Sequence, residues 1–125
     1  KGVAFMGTCA GMICMATHNG NSLAYPTLEI MDIRIRRNAF GRQRFSFERL
    51  LDVPLLGSVP FPGLFIRGPI IESVGDEVEV VARLDGKHIV AARQGKLIAL
   101  SFHPELMDDL RFHEYFLNLT GNFLK

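Results

Sequence analysis

A cysteine near the start of the chain and a histidine near its end have the residue types of a nucleophilic hydrolase. Cys9 stands in Gly7-Thr8-Cys9-Ala10-Gly11, between apolar runs at residues 3–6 and 12–16. The pattern predicts a buried strand, a sharp turn and a helix start. Such an elbow exposes its central side chain in a strained pose, and the helix N-terminus favours the thiolate. Cys9 is therefore a candidate nucleophile, while a small buried hydrophobe is the commoner role of a cysteine.

The histidine stands in Ser101-Phe102-His103-Pro104-Glu105, at the end of a predicted strand. Glu105 can orient one ring nitrogen of His103 while the other nitrogen faces Cys9. The three residues would then act as nucleophile, base and orienting carboxylate. A single histidine at a strand end is more often structural, so the residue types alone leave both interpretations open.

Two stretches contain arginines suited to binding a carboxylate. The loop Arg37-Asn38-Ala39-Phe40-Gly41-Arg42-Gln43 is either a solvated turn or a ligand-facing loop, because a fixed guanidinium binds carboxylates well. Arg67 ends a short apolar strand predicted at residues 63–67. It either contacts a ligand, as residues at strand carboxyl ends often do, or caps the strand.

The elements that must position these residues predict a mixed α/β protein. In the first half of the chain we predict a helix over residues 10–17, a polar loop over 18–26, and strands over 28–36 and 45–51. A loop through Pro54, Pro60 and Pro62 then leads to the strand 63–67. The second half is predicted to contain three antiparallel strands, over 78–83, 88–93 and 96–102, and a closing amphipathic helix from Met107 with Asp108 and Asp109 in its first turn. No repeat or linker divides the chain.

Composition excludes several classes of function. The 125 residues carry a formal charge of +1 and are 48% hydrophobic, which does not indicate binding to nucleic acid or to an anionic membrane. Cys9 and Cys14 are too close for a useful disulfide, and Cys14 is expected in the core. The four histidines lack metal-ligand spacing, so no metal is expected. These features favour a soluble cytoplasmic protein without a signal peptide.

Four motifs together resemble a known family. The Cys9 elbow, the Arg37–Gln43 loop, Phe65-Ile66-Arg67-Gly68-Pro69 and Ser101-Phe102-His103-Pro104-Glu105-Leu106 look like successive signatures of the glutaminase subunit of pyridoxal 5′-phosphate synthase. That subunit is a class I, triad-type glutamine amidotransferase. The cysteine and histidine motifs are shared by the wider class, whereas the arginine loop points to this subfamily.

The resemblance implies a flavodoxin-like, three-layer α/β/α fold and a set of site residues. Cys9, His103 and Glu105 would form the triad, the Ala10 N–H would be an oxyanion donor, and Arg37, Ile66 and Arg67 would line the glutamine pocket. L-glutamine would be hydrolysed through a thioester, and the ammonia would pass to a synthase subunit. Pyridoxal phosphate would be the product of that complex, so the chain itself needs no cofactor.

The resemblance also implies a segment ahead of the elbow that supplies a second oxyanion donor. Because the sequence starts at Lys1, residues 1–125 are expected to form a single, N-terminally truncated domain, the C-terminal two-thirds of the family's domain. Two alternatives remain: another triad hydrolase of this fold, such as a γ-glutamyl hydrolase, and a non-catalytic subunit that binds the synthase.

Overall fold

Nine strands and two helices are present in the computed structural model, which describes residues 4–18, 28, 30–36, 46–66 and 69–120. In chain order the strands are β1 (Phe5–Thr8), β2 (Ala16–His18), β3 (Met31–Arg36), β4 (Phe47–Leu51), β5 (Phe61–Phe65), β6 (Ile70–Val74), β7 (Glu79–Leu84), β8 (His88–Gln94) and β9 (Leu97–Leu100). The helices are α1 (Ala10–Met15) and α2 (Arg111–Thr120), and short 3₁₀ helices span Pro54–Leu56 and Pro104–Leu106.

Seven of the described strands form one curled sheet in the order β1-β9-β8-β6-β3-β2, with β7 paired to β8. The pairs β1–β9 and β2–β3 are parallel, and the other pairs are antiparallel. Strands β4 and β5 form a separate antiparallel ribbon. The parallel pair β1–β9 matters most for function, because the carboxyl ends of both strands meet at one edge of the sheet.

The two faces of the sheet bury separate cores. On one face, α1 packs through the buried Met12 and Met15. On the other face, α2 and the ribbon β4–β5 pack through a core that includes Phe61 and Phe112. Side chains of β9 alternate between these cores, as the period of a strand requires. The sheet is thus flanked on both faces, which confirms the α/β/α fold.

The predicted antiparallel strands near the end of the chain are confirmed. Asp85 and Gly86 join β7 to β8 with φ of 53° and 70°, the two left-handed conformations of a tight hairpin turn. Gly95, with φ of 61°, makes the next turn into β9. The strands predicted over 28–36 and 45–51 are also present, as the shorter β3 and β4.

The first helix is shorter than predicted. It ends at Met15, and residues 16–18 continue as β2. The backbone N–H of Leu28 donates to the carbonyl of Cys14, and that of Ile30 donates to the carbonyl of Met15, at 2.9 Å each. These carbonyls are therefore satisfied by the returning chain, and Ala16 pairs with Met31 in the sheet.

Three further boundaries differ from the prediction. Strand β6 was not predicted; it is stabilised by pairing with β3 and β8. Pro62, predicted in a loop, lies inside β5 opposite Leu50, where the two-stranded ribbon leaves an edge that tolerates proline. Helix α2 begins at Arg111, so Asp108 and Asp109 precede it. The loop predicted over 18–26 lies outside the described residues beyond His18.

Candidate active site

Cys9 occupies the elbow between β1 and α1. Its backbone has φ of 54° and ψ of −107°, a left-handed conformation that costs free energy in a residue with a Cβ. The strand β1 ends one residue before it, and α1 begins one residue after it. The Cys9 N–H donates to the carbonyl of Leu100 at 2.8 Å, which fixes the elbow to the end of β9. The predicted strained turn is therefore confirmed.

The two glycines that flank the elbow have different roles. A Cβ at Gly7 would lie 2.7 Å from backbone atoms of Gly11 and 2.5 Å from the sulfur of Met15, so Gly7 allows α1 to fold back closely on β1. A Cβ at Gly11 would meet nothing within 4 Å. Steric packing therefore requires only the first glycine of the motif.

His103 lies three residues after β9, at the same edge of the sheet as Cys9. Its backbone N–H donates to the carbonyl of Leu64 on β5 at 2.8 Å, and Pro104 after it is buried. The ring atom Nδ1 lies 2.7 Å from Oε2 of Glu105. Because a carboxylate is an acceptor, Nδ1 carries the hydrogen and Nε2 of the neutral ring has a free lone pair.

The second ring nitrogen of His103 differs from the first in its surroundings. Nε2 is buried and has no hydrogen-bond partner among the described residues. Buried polar atoms are almost always paired, and the exceptions call for a functional explanation. With Nδ1 held by Glu105, this orphan nitrogen is the group that can accept a proton from a neighbouring nucleophile.

The environment of Cys9 favours the thiol over the thiolate. Burial raises the pKa of the Cys9 thiol above its usual value, the backbone N–H of Ala10 lowers that pKa, and the negative charge of Glu105 raises it. The net direction is upward, because burial outweighs the stabilisation of the thiolate by the Ala10 N–H at the start of α1.

Comparison with known proteins identifies the family to which the chain belongs. The family model for the SNO glutamine amidotransferases matches residues 1–121.

This chain belongs to the SNO glutamine amidotransferase family.

Relatives of the family agree with this assignment. The chain is 56% identical over 121 residues to the pyridoxal 5′-phosphate synthase subunit PdxT of Herpetosiphon aurantiacus, covering 95% of the chain and 64% of the relative. It is 54% identical to PdxT of Methanosarcina mazei, covering 98% of the chain and 62% of the relative. The chain thus spans less than two thirds of the length of these relatives.

Solved structures support the fold. A crystal structure of a glutamine amidotransferase superposes with a TM-score of 0.86 at 48% identity, covering 94% of this chain and 61% of that one. A crystal structure from Thermoplasma acidophilum, of a protein assigned to GMP synthase, has a TM-score of 0.67 at 15% identity, covering 97% of this chain and 59% of that one. The second match shows the shared fold alone.

The family's predicted pocket is described only in part. Ala10, the predicted oxyanion donor, directly follows Cys9, and its N–H lowers the pKa of the Cys9 thiol. Ile66 is exposed and follows β5 two residues after Leu64, whose carbonyl binds His103. The hydrogen bond between His103 and Leu64 brings the end of β5 to the same edge. Arg37 and Arg67 lie outside the described residues, so their predicted contact with glutamine stays a prediction.

Sequence reasoning missed the packing that holds His103. Phe102, next to His103, is fully buried with its ring centroid 5.6 Å from that of Phe65 and 5.9 Å from that of Phe61. The carbonyl of Leu64 was likewise not predicted as the partner of the His103 N–H. The phenylalanines that pack together stand far apart in the sequence, and backbone acceptors leave no signal in residue type.

Two structural features, a metal-binding cluster and a membrane-spanning helix, were not found among the described residues. No three His, Cys, Asp or Glu side chains among them are grouped to hold a metal ion. Within the same residues, no helix is long and apolar enough to cross a membrane.

Proposed function

We propose that the chain provides the catalytic centre of a glutaminase, which hydrolyses L-glutamine to glutamate and ammonia through a Cys9 thioester. The proposal depends most on one observation: His103 holds Glu105 through Nδ1 and leaves Nε2 buried without a partner among the described residues, at the sheet edge where Cys9 stands on its strained elbow. Membership of the glutamine amidotransferase family supports the choice of substrate.

In the acylation half of the reaction, His103 acts first as a base. The raised pKa of Cys9 means that the resting residue is a thiol, so its proton passes to Nε2 of His103 as the sulfur attacks the carboxamide carbon of glutamine. Glu105 stabilises the imidazolium that forms. The Ala10 N–H stabilises the oxyanion of the tetrahedral intermediate. His103 then gives its proton to the carboxamide nitrogen as the C–N bond breaks, which releases ammonia and leaves the thioester.

In the deacylation half, a water molecule replaces the ammonia. His103 removes a proton from this water through Nε2, and the hydroxide attacks the thioester carbonyl. The C–S bond breaks, the proton returns to the sulfur, and glutamate leaves. The cycle needs no metal and no redox cofactor, because every proton moves between sulfur, imidazole, ammonia and water.

The partner follows from the named relatives. They are subunits of pyridoxal 5′-phosphate synthase, so we propose that a synthase subunit consumes the ammonia to build vitamin B6 and that the complex is cytoplasmic. Arg37, Ile66 and Arg67 are proposed to bind glutamine. Residues 1–125 are proposed to belong to one domain.

The experiment measures glutamine hydrolysis by the full protein together with its synthase subunit. Cys9→Ala and His103→Ala are expected to abolish release of ammonia and glutamate, since each removes a group that forms or breaks a bond. Cys14→Ala and His88→Ala are the matched controls, because these residues lie away from the elbow on α1 and at the start of β8. Both controls are expected to retain turnover.

Three outcomes would contradict the proposal. Turnover that persists in Cys9→Ala or His103→Ala would exclude the triad. Competition decides the substrate: if γ-glutamyl peptides are hydrolysed in preference to free glutamine, the chain is a γ-glutamyl hydrolase of the same fold. No labelling of Cys9 by an electrophilic glutamine analogue would favour the non-catalytic subunit.

A further inference from the structure

Arg111 ties the start of α2 to the chain just ahead of β5. Its Nη1 donates to the carbonyl of Val59 at 2.7 Å, and its Nη2 donates to the carbonyl of Pro60 at 2.9 Å. The guanidinium carbon lies 5.4 Å from the ring centroid of Phe61, the first residue of β5. A guanidinium suits this task because its donors form a rigid plane that binds several acceptors and stacks on an aromatic ring.

Asp109 holds that guanidinium in place. Arg111 donates from Nε to Oδ1 of Asp109 at 2.9 Å and from Nη2 to Oδ2 at 2.6 Å, a bidentate pair. This hydrogen bonding lowers the pKa of Asp109 and raises that of Arg111. Both side chains are about a quarter exposed or less, at 21% for Asp109 and 25% for Arg111. The pair is therefore a fixed clamp on the segment that enters β5.

Strand β5 in turn holds the segment that carries His103. The carbonyl of Leu64 accepts the His103 N–H at 2.8 Å. The side chains of the same strand add a second attachment, because the rings of Phe61 and Phe65 both pack against the ring of Phe102. His103 and its neighbour are thus docked to β5 by a backbone hydrogen bond and by aromatic packing.

We infer that Arg111 is a positioning residue for His103, and that it acts by fixing β5. Asp109 sets the orientation of Arg111, Arg111 fixes the entry to β5, and β5 fixes His103 through Leu64 and the phenylalanine rings. The catalytic consequence rests on the proposed function, because it assumes that His103 is the base. That Arg111 fixes the position of His103 through β5 does not depend on this assumption.

Amide hydrogen exchange at single residues tests the positional consequence in the full protein. Arg111→Lys keeps the charge but loses the planar fork that bridges two carbonyls and a carboxylate. We expect exchange at the His103 N–H to become about 10-fold faster or more, while exchange at the N–H groups of Cys9 and Ser101, bonded to Leu100 and Val90, stays unchanged. Asp109→Asn, a milder change, should shift the His103 N–H in the same direction by less.

Arg93→Lys is the matched control. Arg93 also pairs with a carboxylate, donating from Nη2 to Oε1 of Glu79 at 3.0 Å. It belongs to β8, which pairs with β6, β7 and β9, so its ion pair does not involve β5. This variant should leave exchange at the His103 N–H unchanged. Equal acceleration of the Cys9, Ser101 and His103 N–H groups in Arg111→Lys would mean a general loss of stability and would overturn the inference.

Glutamine hydrolysis provides the second readout. Arg111→Lys should lower kcat by about 10- to 100-fold, since a small misplacement of a catalytic group has effects of this size. If the parent hydrolyses glutamine and Arg111→Lys has the same kcat as the parent, the catalytic part of the inference is overturned. If the parent itself does not hydrolyse glutamine with its synthase, the proposed function fails, while local exchange at His103 still decides whether Arg111 positions it.

Discussion

The backbone N–H of Cys9 donates to the carbonyl oxygen of Leu100 at 2.8 Å, so the elbow is fixed to the last residue of the neighbouring parallel strand. Leu100 leads within three residues to His103. The sheet register therefore decides that a cysteine and a histidine far apart in sequence share one edge. Each of the following predictions concerns a contact that holds this edge together or sets its chemistry.

The glycines of the elbow should differ in their effect on stability. Gly7→Ala is expected to lower the free energy of unfolding by about 2 kcal/mol or more, because its Cβ would overlap backbone atoms of Gly11. Gly11→Ala should leave that free energy unchanged or raise it by up to about 1 kcal/mol, since its Cβ meets open space in a helix. Urea unfolding of the full protein measures both. Equal effects of the two substitutions would contradict the assigned roles.

Glu105→Gln should change the labelling rate of Cys9 and the rate of glutamine turnover in opposite directions. The charge of Glu105 raises the pKa of the Cys9 thiol, so its removal should increase the thiolate fraction near neutral pH. Labelling of Cys9 by iodoacetamide should become faster, because the thiolate is the form that reacts. Glutamine turnover should instead fall by about 10- to 100-fold, because the imidazolium loses its partner.

Labelling is followed by mass spectrometry over pH, with Cys14 as the internal control. Slower labelling of Cys9 in Glu105→Gln would mean that the resting enzyme holds a thiolate–imidazolium pair that Glu105 stabilises. That result would contradict the thiol resting state assigned above.

Asp109 should make the stability of the protein depend on pH in the acid range. The hydrogen bonds from Arg111 lower the folded-state pKa of Asp109, so its stabilisation is complete above the unfolded pKa near 4 and is lost as pH falls through the folded value. Asp109→Asn should lower the free energy of unfolding by about 1 kcal/mol at pH 7. Below about pH 4 the difference between parent and variant should shrink.

Urea unfolding at pH 7 and at pH 3 gives this comparison, and Asp108→Asn at the neighbouring exposed position is the matched control. A difference between parent and Asp109→Asn that is the same at both pH values would show that the ion pair is not its cause.

Much of the architecture was readable from local pattern. The Asp85-Gly86 hairpin was predictable because two left-handed residues in succession strongly favour this residue pair. The elbow was predictable because small residues separate two apolar runs. Strand β6 was not predictable, because the chain at Ile70–Val74 has no alternating pattern and its strand state depends on pairing with β3 and β8. The change from α1 to β2 at Ala16 likewise depends on distant residues, because Leu28 and Ile30 donate to the last carbonyls of α1.

The sequence alone determined the family and the residue types of the candidate site, because motifs and the chemistry of Cys9, His103 and Glu105 are properties of local sequence. Only the tertiary structure decided that Nδ1 of His103 binds Glu105 while Nε2 has no partner among the described residues. It also decided that the Cys9 thiol has a raised pKa and that Arg111 and β5 hold His103. These outcomes depend on burial and on backbone acceptors brought from distant segments. Neither burial nor the position of a carbonyl group is encoded by one residue's type.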